Sequence, residues 1–191
     1  LSEEAVSNRV ERGSPLLGFD DLSVDWSLLR NIFEEVSALL ANYSAVLGET
    51  SKNLNKLSSC LVLKEAVKAW FEGAPLSPWM PLSGVDEALL ELVIHATLRP
   101  FLTGHREALL NFVNQEQWRR GYCPICGGSP DFAFLDKERG ARWLLCSRCD
   151  AEWLFQRLEC PYCGTHDPGA LAYFTNEEGL YRLYVCQQCR H

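Results

Sequence analysis

The chain has 191 residues, 47% hydrophobic and 23% charged, with a formal charge of −7, a balance that fits a folded globular protein and excludes disorder as its dominant state. The acid excess runs through both parts, with 16 acids against 11 bases in residues 1 to 120 and 9 against 7 in residues 121 to 191. Nucleic acid is therefore not an expected partner, because neutralising phosphates takes clustered Lys and Arg.

Residues 1–19 read as an extended N-terminal segment. It begins at Leu1 rather than Met, and nothing in it has the charged, apolar, small-residue order of a signal peptide. At the other end His191 lies two positions past a cysteine, so both termini have the look of cuts. No apolar run approaches the roughly 18 to 20 residues that span a bilayer. The expectation is a soluble cytoplasmic protein with no membrane span.

From Ser23 onward, Trp26, Leu29, Phe33, Val36, Leu40, Tyr43 and Leu47 recur at steps of three and four, the spacing of one helix face. Gly48 ends that helix. A second helix is predicted from an N-cap at Thr50 or Ser51 to near Gly73, with Leu54, Leu57, Leu61, Val67 and Trp70 inward. Cys60 falls in its pattern as a small buried hydrophobe. Residues 74–84, with Pro75, Pro78 and Pro81, form a connector. Ser83 and Asp86 read as a capping box for a third helix that buries Leu89, Leu90, Val93 and Ile94. Pro100 closes or kinks that helix. A fourth is predicted from about Pro100 to Trp118 with Phe101, Leu109, Phe112 and Val113 facing in. Residues 20–118 thus read as an antiparallel helical bundle.

Beyond Arg120 the pattern changes to short alternating runs punctuated by glycine, proline and cysteine, such as Phe132 to Leu135 and Arg142 to Leu145, which read as β-hairpins. The region repeats itself. Cys-Pro-Ile-Cys-Gly at 123–127 matches Cys-Pro-Tyr-Cys-Gly at 160–164, while Phe134, Arg142 and Cys146 recur forty positions on as Phe174, Arg182 and Cys186.

Eight of the nine cysteines fall in four Cys-x-x-Cys pairs, a pattern of metal ligation in a reducing compartment rather than of secreted disulfides. Cys123 and Cys126 are separated by 19 residues from Cys146 and Cys149, and Cys160 and Cys163 by 22 residues from Cys186 and Cys189. Two such turns brought face to face by a hairpin offer four thiolates to a tetrahedral ion. Sequential pairing within each repeat is expected, with cross-bracing of alternate turns as the alternative. Pro124 and Pro161 pre-set the turns, and Gly127 and Gly164 admit the left-handed residue that aims amides at sulfur. Asp150 and Arg190 stand where glycine would help. Iron and zinc both accept four sulfurs, so up to two ions of either are admitted.

Competing chemistry has less to stand on. Cys160-Pro161-Tyr162-Cys163 spells a glutaredoxin active site, but such a dithiol needs a helix N-terminus to lower its thiol pKa, and Gly164, Pro168 and Gly169 follow instead. His95 and His105 lack an acid or cysteine partner at catalytic spacing. His166 could approach the second cluster, which four cysteines already fill. There is no phosphate-binding glycine loop, nucleophile elbow or paired-carboxylate frame, so no enzyme is expected.

Trp118 to Pro130, Gly140 to Cys149 and Glu152 to Gly164 together resemble the formate dehydrogenase accessory protein family, FdhE. The likeness includes Pro130, Gly140, Arg142, Trp153 and Arg157 besides the cysteines, and extends upstream to Arg99-Pro100-Phe101-Leu102 and Pro15-Leu16-Leu17. It implies an α+β chain: a helical domain followed by two rubredoxin-like or zinc-ribbon modules, residues 119–156 and 157–191. It further implies a non-catalytic maturation factor that contacts the catalytic subunit of formate dehydrogenase in the cytoplasm. The eight paired cysteines would be ligands, with iron favoured and zinc its ordinary substitute.

A second copy of the chain is admitted as a further partner. Tyr122, Trp143, Trp153 and Tyr162 are candidate docking aromatics. This chain is shorter than the better-known members and lacks the segment they carry past the last Cys-x-x-Cys, so the second module reads as truncated and its ion as weaker. The rival readings are a zinc ribbon that binds nucleic acid and a rubredoxin-like electron carrier.

Overall fold

The computed structural model describes residues 3–57 and 61–191; Cys60 lies outside them. The chain divides into two compact units, one made of Leu1–Leu17 with His105–His191 and the other of Gly18–Gly104. The boundary expected at residue 118 is thus displaced. Residues 105–118 and the N-terminal segment belong with the cysteines, not with the helices or by themselves. The class is α+β, as read from the sequence.

The Gly18–Gly104 unit is helical. Helix α2 runs Trp26–Ala41 and starts one turn later than Ser23 suggested, because the Asp25 carboxylate accepts the Ser27 and Leu28 N–H groups at 2.9 and 3.1 Å. Its apolar face, Leu29 and Phe33, is buried, but Tyr43 is exposed beyond a break at residues 42 and 43, and Ser44–Leu47 forms a separate turn, α3. The expected second helix is likewise divided: a 3₁₀ stretch at Glu49–Lys56 precedes α4, Leu63–Glu72. Leu54, Leu57, Leu61, Val67 and Trp70 are all buried as expected, and Gly73 caps α4 in the left-handed conformation. A short α5, Met80–Ser83, follows.

Helix α6, Glu87–Leu109, replaces the predicted third and fourth helices. Its cap is Asp86 rather than Ser83, since the Asp86 carboxylate accepts the Leu89 N–H at 2.9 Å. An interior proline costs about 3 kcal/mol, yet the helix runs through Pro100. Leu90, Val93, Ile94 and Leu98 before it and Leu102 after it are fully buried on one continuous stripe, and burying each such side chain returns roughly 1.5 to 3 kcal/mol. A 3₁₀ turn, Leu110–Phe112, follows, and Phe112, expected inside, is half exposed. No helix among the described residues is long and apolar enough to cross a membrane.

The other unit contains helix α1, Glu3–Arg12, not the extended chain expected over residues 1–19. Only Val6 and Val10 mark its buried face, a single i, i+4 pair, which is too little periodicity to read. Past Gly13 the chain does extend, and Leu16 and Leu17 donate their N–H groups to the Pro124 and Ile125 carbonyls, both at 2.8 Å. Strands β1 (Pro130–Leu135), β2 (Arg142–Cys146) and β3 (Glu152–Phe155) form an antiparallel sheet in the order β1-β2-β3. Strands β4 (Leu171–Thr175) and β5 (Arg182–Cys186) form a separate hairpin. The forty-residue repeat appears in the register: Phe134 faces Trp143 and Phe174 faces Leu183. A bulge at Asp131 sets Pro130 against Cys146, whereas Leu171 faces Cys186 directly. Strand β3 has no counterpart in the second sheet.

Candidate metal centres

Each Cys-x-x-Cys forms the same tight turn. The residue after its second cysteine donates back to the carbonyl of the first: Gly127 to Cys123 at 3.0 Å, Gly164 to Cys160 at 2.9 Å and Arg190 to Cys186 at 2.7 Å. The closing residue is left-handed in all four turns, at φ 73° for Gly127, 71° for Gly164, 58° for Asp150 and 62° for Arg190. Asp150 and Arg190 carry a Cβ into a region that glycine enters freely. The geometry aims amides at sulfur: the Ile125 N–H lies 3.4 Å from Cys123 Sγ and the Arg148 N–H 3.3 Å from Cys146 Sγ.

The turns meet in sequential pairs. Cys123, Cys126, Cys146 and Cys149 converge, as do Cys160, Cys163, Cys186 and Cys189, each set with its sulfurs within 4.8 Å of one another. Nearest sulfurs stand 3.5 to 3.6 Å apart in the first set and 3.6 to 3.7 Å in the second. These separations are far beyond a disulfide's roughly 2.05 Å, and all eight cysteines are free. They approach the edge of about 3.8 Å that a tetrahedron with metal–sulfur bonds of about 2.3 Å requires. The donor set thus fits a four-coordinate, thiophilic ion.

Electrostatics points the same way. All four sulfurs of the first set are buried. Burial pushes the Cys123 thiol well above its ordinary value, while hydrogen bonds from Cys123, Cys126 and Cys149 draw Cys146 well below its own. Several thiolates cannot share a dry site without a cation. A divalent ion would hold all four as thiolates. The second set is more open, with Cys160 and Cys186 buried, Cys189 half-buried and Cys163 exposed. Backbone N–H groups, that of Cys189 foremost, bring Cys186 down to about 7.

The four candidate docking aromatics part company. Trp153 is fully buried and donates its indole N–H to the Arg120 carbonyl at 2.8 Å, so it is core and presents no docking face. Tyr122 is half-buried and packs edge-on against Trp118. Trp143 is half-buried on β2. Tyr162 is exposed overall, but its ring stacks on His191 at 4.2 Å and its hydroxyl donates to the Pro130 carbonyl at 2.7 Å. The Cys160–Cys163 turn opens no helix, unlike a redox dithiol site. His166 stands 3.9 Å from the Glu159 carboxylate and outside the second cluster, and His95 stacks on Trp70. Tyr173, Phe174, Tyr181 and Tyr184 on the second hairpin are more exposed than three of those four candidate aromatics. Their exposure was not readable, because alternation cannot tell which face of a two-stranded hairpin is covered.

Comparison with known proteins gives a consistent neighbourhood. A model described as the FdhE central domain matches residues 122–157. An FdhE homologue of Aquifex aeolicus is 24% identical over 99% of this chain and 63% of its own length. One from Pseudomonas aeruginosa is 26% identical over 100% of this chain and 61% of its own. The crystal structure of the FdhE protein from Pseudomonas aeruginosa superposes with a TM-score of 0.57 at 25% identity, covering 99% of this chain and 64% of that one. The chain therefore spans less than two thirds of these relatives.

Proposed function

We propose, from its likeness to FdhE proteins, that the chain is a member of that family and a non-catalytic accessory factor in the maturation of formate dehydrogenase. In this reading Cys123, Cys126, Cys146 and Cys149 hold one iron or zinc ion, and Cys160, Cys163, Cys186 and Cys189 hold a second. The ions supply folding energy, since hairpins this small bury little apolar surface by themselves. The rigid surface around them, including Tyr122, Trp143 and Tyr162, engages the catalytic subunit in the cytoplasm.

The observation that carries this reading is the gathering of eight sulfurs into two four-sulfur clusters on a frame shared with FdhE proteins. Co-purification of the catalytic subunit with the chain tests it, run with and without Cys123→Ser and Cys126→Ser. Capture lost with the cysteines supports the reading; equal capture by metal-free and metal-loaded protein counts against it. Exposure of Cys163 favours a second reading, rubredoxin-like electron transfer. That reading requires iron and a visible absorption that bleaches on reduction and returns on oxidation.

A further inference from the structure

Arg142 occupies the start of β2, four residues before Cys146, yet its side chain leaves the first sheet. Its guanidinium sits 5.7 Å from the centre of the Phe155 ring and 5.4 Å from that of Tyr184, so it lies against one aromatic from each hairpin. Nη1 donates to the Glu159 carbonyl at 2.9 Å and approaches that of Gln156 at 3.5 Å. Glu159 immediately precedes Cys160, and Tyr184 stands two residues before Cys186. One side chain from the first module thus touches both arms of the second cluster. The repeat-related Arg182 lies over Tyr173 at 5.0 Å, within its own hairpin. Sequence symmetry therefore does not account for the placement of Arg142.

Two further contacts fix the same turn from the same side. Tyr162, between Cys160 and Cys163, donates to Pro130. Gly121 packs so closely on the Pro161 carbonyl that a Cβ there would overlap it. The Arg142 side chain is half-buried, and its buried Nε has no hydrogen-bond partner. A cation is costly to place there unless negative charge faces it. Four thiolates around a divalent ion leave a net charge of about −2 for it to face.

We propose that Arg142 is a positioning residue for the second cluster, so that the second ion is held by a site the first module helps to shape. This rests on the reading that both clusters bind metal. Removing an outer partner of a metal site typically weakens binding by roughly 10- to 100-fold.

The test uses the full chain loaded with zinc and titrated with a competing chelator. Wild type is expected to release two ions in two steps, with Cys160→Ser/Cys163→Ser retaining only the step of the first site. Arg142→Leu should move the second-site step at least tenfold toward release and leave the first within about twofold. Arg142→Lys, which keeps charge but not the planar fork, should restore part of the difference. Arg182→Leu should resemble wild type. If Arg142→Leu loses its far-UV circular dichroism, Tyr162→Phe decides, with a severalfold shift of the second step expected. Unchanged second-site release in Arg142→Leu, or in Tyr162→Phe where that variant decides, overturns the proposal, as does an equal shift in Arg182→Leu. Wild type that binds no zinc or iron would overturn the metal reading beneath it, a result distinguishable from two ions bound identically in both arginine variants.

Discussion

The Tyr122 hydroxyl donates to the Gly13 carbonyl across 2.7 Å, although 109 positions separate the two residues. With the Leu16 and Leu17 amides on Pro124 and Ile125, this bond ties the N-terminal segment to the first cysteine turn. Tyr122→Phe should cost about 1 kcal/mol, the net worth of one hydrogen bond. Gly13→Ala should cost more, about 1 to 3 kcal/mol, because Gly13 holds φ 71° and an added Cβ would overlap the Arg120 guanidinium. Urea denaturation of the full chain measures both, and a Gly13→Ala midpoint equal to wild type would refute the second.

Trp153 and Trp143 are ten positions apart on paired strands but differ in burial. Trp153→Ala removes a fully buried indole and orphans the Arg120 carbonyl, for an expected loss of about 3 to 5 kcal/mol. Trp143→Ala, half-exposed at the outset, should cost about 1 kcal/mol. Thermal melts compared at equal metal content separate the two; similar midpoints would argue against Trp153 as the core of the first sheet.

Asp150 and Arg190 carry side chains at φ 58° and 62° where the other two turns use glycine. Glycine at either position should relieve backbone strain, with a gain of about 0.5 to 1 kcal/mol. The gain should be larger at Arg190, because aspartate tolerates the left-handed region better than a long side chain does. Slower zinc loss from Arg190→Gly and Asp150→Gly than from wild type is the expected readout. Faster loss from both would mean that the turns are not strained.

The loops of the two hairpins differ at their first position, aspartate in one and asparagine in the other. Asp136 accepts the Arg139, Glu138 and Ala141 amides, which hold its carboxyl below the ordinary value. Asn176, forty residues on, accepts the Tyr181 amide with a side chain that does not ionise. A depressed carboxyl stabilises above its unfolded pKa of about 4 and loses that contribution as pH falls through the lower folded value. Amide protection at residues 138–141 should therefore fall on acidification below about pH 4, and Asp136→Asn should abolish the dependence there. Loss at residues 179–181 with the same pH profile would point to general unfolding instead.

The cysteine turns were legible in the sequence because their chemistry is local. Proline presets φ, glycine or its stand-in closes the turn, and a hairpin of nearly fixed length returns the second pair to the first. Even the ill fit of Asp150 and Arg190 to a left-handed position is legible from the missing glycine. The buried stripe of α6 was also readable residue by residue, but not its continuity through Pro100, since that depends on how much apolar surface the surroundings cover on either side of the hydrogen bond that proline cannot donate.

Long-range packing decided the rest. Nothing in the spacing of Val6 and Val10 foretells a helix ahead of the segment that bonds to residues 122–125, and by sequence Trp153 is as available as Tyr162, whereas the fold encloses it. The repeat matched Arg142 with Arg182, yet tertiary context sent the first across to Glu159 and Tyr184 and left the second on its own hairpin. Local backbone preferences act over three to five residues and can be read from them; which side chain crosses a module boundary is set by neighbours that only the folded chain brings together.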